Sequence, residues 1–314
     1  MLTFPTAADL AAMSLTAQHP LTQGWVDDAA RLELLTEEHA FDRQLATDLE
    51  LAGKRATHFR PGLAAETFLN CWVSVSPELD AMFSIRFKGL DPEKPFVDAS
   101  VTSRPLVAAD LPAVSAAALE VYGVLRPQRL RVWSAAEAGA FPGTRPDMRV
   151  LAAPLAELRG REIPGELSLR PTADLAHHAG AVAAYAAVDA RHPEHTGQAR
   201  VIDEDDLQAC IEAGTMFDVF WLGEWSGYAG VLAKSKHGLP AYSIQELLLV
   251  PQARGQGLGP HLTTLLAHAL PDDTRVLLGT IHGENRGALR AALSAGRHDV
   301  GGWSWIPLTT VTPT

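Results

Sequence analysis

Residues 247–262 read LLLVPQARGQGLGPHL, an apolar run stopped by Pro251, a basic residue, three alternating glycines, and a proline that opens the periodic stretch HLTTLLAHAL. This segment constrains the fold most, because it joins a buried strand to an α-helix through a loop almost without side chains. The apolar run predicts a strand, and Pro260 suits a first helical turn, where its missing N–H costs no intrahelical bond. Gly255, Gly257 and Gly259 leave main-chain N–H groups free to turn inward as a nest, beside the positive end of the helix dipole. The natural guest of such a seat is an anion such as a pyrophosphate. A P-loop is excluded because its lysine is missing: Leu258 and Gly259 are followed by proline. A dinucleotide-binding unit would open a βαβ unit with its glycines and carry an acid about 20 residues on. Here the glycines fall late, and Asp272 and Asp273 lie too near.

The rest of the chain sets this segment in a pattern that occurs twice. TAADLAAMSLTAQ and DDAARLELLTEEHAFDRQLATDLELA carry apolar residues at spacings of three and four and predict helices. TFLNCWVSVSP and AMFSIRFKGL predict strands, and the helix LPAVSAAALEVYGVL leads into the strand RLRVW at 129–133. Residues 135–165 place Pro and Gly on both sides of a short strand or helix, which predicts a domain connection near Gly160. Beyond it come the strand ELSLRP, the helix TADLAHHAGAVAAYAAVDA capped by Thr172, and the helix DEDDLQACIEAG with acids in its first turn. A hairpin, FDVFWLGEWSGYAGVLAKS, turns at Gly223 to Glu224, and AYSIQELLLVP is the next strand. After the glycines follow the helix HLTTLLAHAL, the strand RVLLGTI, the helix ENRGALRAALSAG and the strand GGWSWIPL. Strand, loop, helix, strand thus recurs about 145 residues apart. The pattern predicts an α+β chain with two tandem domains at 1–160 and 161–314. Only the second copy keeps the glycines; the first has SRPLVAADLPAV in their place.

The run Arg254-Gly255-Gln256-Gly257-Leu258-Gly259, after a strand ending Leu249-Val250-Pro251, resembles the Arg/Gln-x-x-Gly-x-Gly/Ala signature of the GCN5-related N-acetyltransferase (GNAT) superfamily. Asn285, Ala288 and Gly296 match that family's second pattern, and the resemblance covers roughly 165–314. It implies a mixed, mostly antiparallel sheet flanked by helices, whose fourth and fifth strands splay to admit the pantetheine arm of acetyl-CoA. Leu248, Leu249 and Val250 would then offer backbone groups to pantetheine and the acyl carbonyl. Arg254, Gly255, Gln256, Gly257, Leu258 and Gly259 would hold the pyrophosphate. Asn285 would meet the cofactor near its thioester, or serve only as a helix cap. The first half would be a degenerate GNAT-like domain without the acyl-CoA loop, and this tandem layout resembles the mycothiol synthase branch.

Direct transfer to an amine requires a base, because an alkylamine is almost wholly protonated at neutral pH. Glu246, on the glycine-loop strand, is the catalytic candidate; the alternation IQELLLV puts it on one face with Leu248 and Val250, opposite Leu247 and Leu249. The family's tyrosine general acid has no counterpart, since Ala292 stands at that position. Tyr242, Ser243 and His282 are the substitutes by proximity in sequence, and a thiolate can also leave through water. The acceptor is a small-molecule or peptide amine. A net charge of -11 with 26 Lys plus Arg excludes a basic track for nucleic acid. His192, Glu194 and His195 lack the spacing of a zinc helix, so no metal is expected. Cys71 and Cys210 allow no disulfide framework, and no apolar run approaches the ~20 residues of a membrane helix. A cytoplasmic monomer or homodimer is expected, with a non-catalytic acyl-CoA-binding protein and a nucleotide-binding module as rival readings.

Overall fold

The computed structural model describes residues 3–191, 200–271 and 274–308. In chain order it begins with α1 (Ala7–Thr16), α2 (Asp28–Thr47), α3 (Leu49–Phe59), β1 (Cys71–Ser76), β2 (Leu79–Phe87) and β3 (Pro95–Thr102). There follow α4 (Leu111–Tyr122), β4 (Arg129–Ser134), β5 (Arg145–Pro154), α5 (Leu155–Leu158), β6 (Leu167–Pro171), α6 (His178–Arg191) and α7 (Glu204–Glu212). The chain continues through β7 (Met216–Trp221), β8 (Glu224–Ala233), β9 (Ala241–Leu249), α8 (Gly259–Ala269), β10 (Val276–His282), α9 (Arg286–Ser294) and β11 (His298–Pro307). Two compact units result: Met1–Arg149 with Val300–Thr314, and Val150–Asp299. Gly160, the predicted connection, lies inside the second unit, just after α5.

In the first unit the strand order is β1-β2-β3-β4-β11. All neighbours are antiparallel except β3 and β4, which run parallel through the crossover helix α4. β3 has no counterpart among the predicted strands, because PFVDASVT interrupts its apolar residues with Asp98 and Ser100. The interruption is tolerated because Asp98, although buried, accepts a hydrogen bond from Arg131 Nε on β4. The stretch Ala108–Leu125, with a mean hydropathy of 1.3, is long and apolar enough to cross a membrane, contrary to the sequence expectation. Asp110 and Glu120 are its only charges. It forms α4 and its flanking 3₁₀ turns, and Leu111, Val114, Ala118, Tyr122 and Leu125 bury themselves in the first unit's core.

In the second unit the neighbours run β10-β9-β8-β7-β6. Again every pair is antiparallel except one, β9 with β10, joined through α8. Each unit is therefore α+β with a mixed, mostly antiparallel sheet. One face of the second sheet packs Phe217, Val219, Tyr242 and Leu277 against Leu258, Leu262 and Leu266 of the α8 segment. On the other face Tyr228 and Leu248 meet Ala181 and Ala184 of α6 and Leu207 and Cys210 of α7. α6 starts at His178 and not after Thr172, whose buried hydroxyl has no partner. The turn before it is closed locally, with Asp174 Oδ1 accepting from Ala176 N at 2.8 Å. The β7–β8 hairpin turns at Leu222 and Gly223, one residue earlier than predicted, both at positive φ (53° and 84°).

Candidate functional site: a fork between two parallel strands

β9 and β10 pair over three residues only, Ala241 to Ser243 against Val276 to Leu278. β9 then runs on to Leu249 and β10 to His282 without pairing, so a fork opens from Ile244 and Gly279 onward. A bulge at Gln245 accompanies the opening: Gly230 and Val231, adjacent on β8, pair with Glu246 and Ile244. The extra residue shifts the side-chain phase. Tyr242 and Ile244 face α8, whereas Glu246 and Leu248 face α6 and α7, with Leu247 and Leu249 returned to the α8 side. The alternation predicted from Glu246 onward is the one observed.

The glycine loop lies beyond the open end of β9. Gly255 and Gly257 have φ of 77° and 75°, in the left-handed region that a side chain disfavours. Gly259 has a different role, since a Cβ there would sit 3.0 Å from Ala291 Cβ where α8 passes α9. Leu258, 5% exposed, anchors the loop in the core, and its carbonyl accepts from His261 N and Leu262 N at 3.0 and 3.2 Å. α8 has no side-chain cap. Among the described residues no protein acceptor meets the main-chain N–H groups of residues 255–259. Consecutive unbonded donors at a helix start, with positive φ at alternate residues, are the features from which anion-binding nests are built. Gln256 is exposed beside them. The Arg254 guanidinium turns the other way: Nε donates to Leu249 O at 2.7 Å and Nη2 to Ala184 O at 3.4 Å, so it braces the loop against β9 and α6.

Glu246 is 3% exposed. Its Oε1 accepts from Tyr185 Oη at 2.6 Å and from Leu247 N at 3.1 Å, and Oε2 accepts from Ile202 N at 3.4 Å. Burial holds its carboxyl above the ordinary value of 4.5, against the opposing pull of these hydrogen bonds. Burial and the neighbouring carboxylate likewise raise the Tyr185 phenol. Tyr185 and Ile202 also line an open cleft of about 430 Å³ with His178, Val182, Asp189 and Glu204 among its walls. Tyr185 was missed in the sequence; the one signal for it is a lone tyrosine in the alanine-rich run GAVAAYAAVDA.

Asn285 caps α9, its Oδ1 accepting from Ala288 N at 3.1 Å. Ala292 is 1% exposed on the same helix. Of the three substitute acids, Tyr242 is buried under the Arg275 guanidinium and Ser243 donates to Lys234 O at 3.1 Å. His282 ends β10, where its Nδ1 accepts from Glu284 N at 3.3 Å. His177 stacks on Trp225, and His178 lies 3.5 Å from Glu204. His192, Glu194, His195, Asp272 and Asp273 lie outside the described residues. Among the described residues no group of three His, Cys, Asp or Glu could hold a metal ion. Cys71 and Cys210 are free thiols, and burial raises the latter to about 11.

No family model and no curated protein matches the chain. Among solved structures it is similar to a GCN5-related N-acetyltransferase from Sphaerobacter thermophilus, with 16% identity over 88% of this chain and 94% of that one and a TM-score of 0.47. It is similar also to an acetyltransferase from the GNAT family of Colwellia psychrerythraea, with 11% identity over 83% and 95% and a TM-score of 0.46. A tandem GNAT protein from the clavulanic acid biosynthesis pathway matches with 14% identity over 85% and 98% and a TM-score of 0.42. Scores this low carry no functional weight, and the chain's own residues have to do so.

Proposed function

We propose that the second unit is an acyl-CoA-dependent N-acyltransferase that passes an acyl group, acetyl in the simplest case, directly to an amine. The observation that carries the reading is the row of unbonded amides at residues 255–259, set at the mouth of a fork between β9 and β10. A diphosphate placed on that row puts an extended thioester arm in line with the fork, along the edge of β9 that β10 leaves unpaired; Leu249 O is already taken there by Arg254 Nε and Val250 N by Ser226 O, so the arm would meet the remaining main-chain groups of that edge. The amine comes from the other face, through the cleft that Tyr185 lines. Its nitrogen attacks the thioester carbonyl, the C–S bond breaks and the electron pair leaves on sulfur. The amine's proton passes to Glu246 through Tyr185, whose hydroxyl already donates to the carboxylate. Asp189, Asp203 and Glu204 against Arg200 make the cleft acidic on balance, which suits a cationic acceptor.

The first unit reads as a degenerate copy with its anion seat filled by the protein itself. At the start of α4, Asp110 accepts from Val107 N at 2.9 Å and forms a two-bond pair with Arg104 at 2.8 and 2.9 Å. Past the last β3–β4 pair, Ala99 with Val132, Trp303 Nε1 donates to Ser100 Oγ at 2.8 Å.

Calorimetric titration with coenzyme A, followed by thiol release from acetyl-CoA over a panel of amines, polyamines, aminoglycosides and peptide N-termini, tests the reading. Saturable binding with amine-dependent thiol release supports it; failure to bind coenzyme A refutes it. The buried, proton-less Ala292 favours a second reading, a non-catalytic acyl-CoA-binding protein. That reading holds if coenzyme A binds and no amine elicits thiol.

A further inference from the structure

A cation that the chemistry above does not use lies on the sheet face beside the closed end of the fork. Arg297, two residues beyond α9's last turn residue Ala295, is 3% exposed, and its Nε and Nη1 have no hydrogen-bond partner. Burial alone acts on it and lowers its pKa to about 10, so it is charged at neutral pH. Its position is specific. Nη1 lies 3.0 Å from where a Cβ on Gly279 would stand, and Ile244 Cδ1 and Cβ lie 3.1 and 3.3 Å from the same point. Ile244 and Gly279 are the first residues past the β9–β10 pairing. The missing side chain of Gly279 is what lets the guanidinium lie against β10.

A buried charge without a partner is strongly unfavourable unless an anion compensates it. Among the described residues no carboxylate does so, since desolvation is the sole influence on Arg297. A guanidinium presents a planar fork of N–H donors that matches a carboxylate. The distance along the open part of β9, from Ile244 to Leu249, is about 17 Å at ~3.4 Å per residue, which is of the order of an extended phosphopantetheine arm. With the diphosphate at the mouth, the acyl group therefore reaches the closed end.

We infer that Arg297 binds the distal carboxylate of the acyl group, so that the preferred donor is the coenzyme A monothioester of a short dicarboxylic acid. This rests on the acyltransferase reading above. The reaction balances as before: the thioester C–S bond breaks, an amide forms, and the distal carboxylate is a spectator.

Malonyl-, succinyl- and glutaryl-CoA are compared with acetyl-CoA by calorimetry and by thiol release, in the wild type, Arg297→Met and Arg297→Lys. Met is close in volume, and replacing a buried unpaired charge by an apolar chain leaves folding intact or improves it, which a melting curve checks. One or more dicarboxylic thioesters should bind and react on the order of tenfold or more better than acetyl-CoA. That preference should vanish in Arg297→Met, be partly kept by Arg297→Lys, and leave the affinity for free coenzyme A unchanged. A wild type without preference, or a preference surviving in Arg297→Met, overturns the inference. Equal slowing of every thioester at unchanged affinity also overturns it, placing the guanidinium at the leaving thiolate instead. Loss of all coenzyme A binding in the wild type would instead sink the acyltransferase reading.

Discussion

Replacing Gly257 by alanine tests the left-handed backbone on which the proposed anion seat depends. Gly257 has φ +75° and open space where a Cβ would go. An alanine there meets no obstacle, and its cost is the left-handed backbone alone, about 1–2 kcal/mol. The strain surfaces in one of two ways. If the free protein keeps φ positive, folding stability falls by that amount and affinity is unchanged. If the free loop relaxes to negative φ, stability is kept and the guest must restore the conformation, weakening binding about 5- to 30-fold at ~1.4 kcal/mol per tenfold. The two losses sum to the same total, because the bound state is common to both routes. Titration with coenzyme A and urea denaturation of the free protein measure them together. Gly259→Ala is the contrast: its added Cβ would stand 3.0 Å from Ala291 Cβ, so its cost belongs to α8–α9 packing and to stability. A Gly257→Ala protein with both the wild-type affinity and the wild-type urea midpoint would refute the assignment of the loop.

Glu246→Gln should lower kcat by about 10²–10⁴ with KM little changed, as loss of a general base does; an unaltered kcat removes Glu246 from the chemistry. The wild-type rate should rise with pH through the raised pKa of Glu246. Tyr185→Phe removes both the proton relay and a hydrogen bond that lowers that pKa, so kcat should fall and the rising limb of the residual rate should move to higher pH; an undiminished kcat contradicts the relay, and a limb that stays put or moves down contradicts the pairing. Stability carries the same signature: with the folded pKa above the unfolded one, the contribution of Glu246 is fully present below about 4.5 and is lost as pH rises through the folded value. Melting curves of wild type and Glu246→Gln should therefore diverge in favour of the variant as pH increases. Coenzyme A should bind once per chain, because Asp110 already occupies the helix start of the first unit; calorimetric stoichiometry of two would contradict that.

Elements whose form is decided by neighbours in sequence are legible in the sequence itself. β9, the glycine loop and α8 each depend on residues within a turn or a strand of one another, and the structure places them as predicted. β3 is not legible locally because its buried Asp98 is compensated chiefly by Arg131, 33 residues away, with Ser100 N and Arg86 assisting. The start of α6 slipped from Thr172 to His178 because a local Asp174 turn intervenes, a competition between short-range hydrogen bonds that propensity does not resolve.

The sequence by itself determined the glycine loop: glycines at positive φ and a proline at the helix start follow from steric rules that act residue by residue. Only the tertiary structure decided what surrounds it. The bulge at Gln245 exists because β8 pairs around it, and it turns Glu246 away from the face that Tyr242 and Ile244 share. Tyr185 became its partner, 61 residues distant in the chain, and Arg297 came to rest against Gly279 at the end of the fork. Pairing register and burial are properties of the assembled sheet, since each residue's environment there is made by segments far from it in sequence.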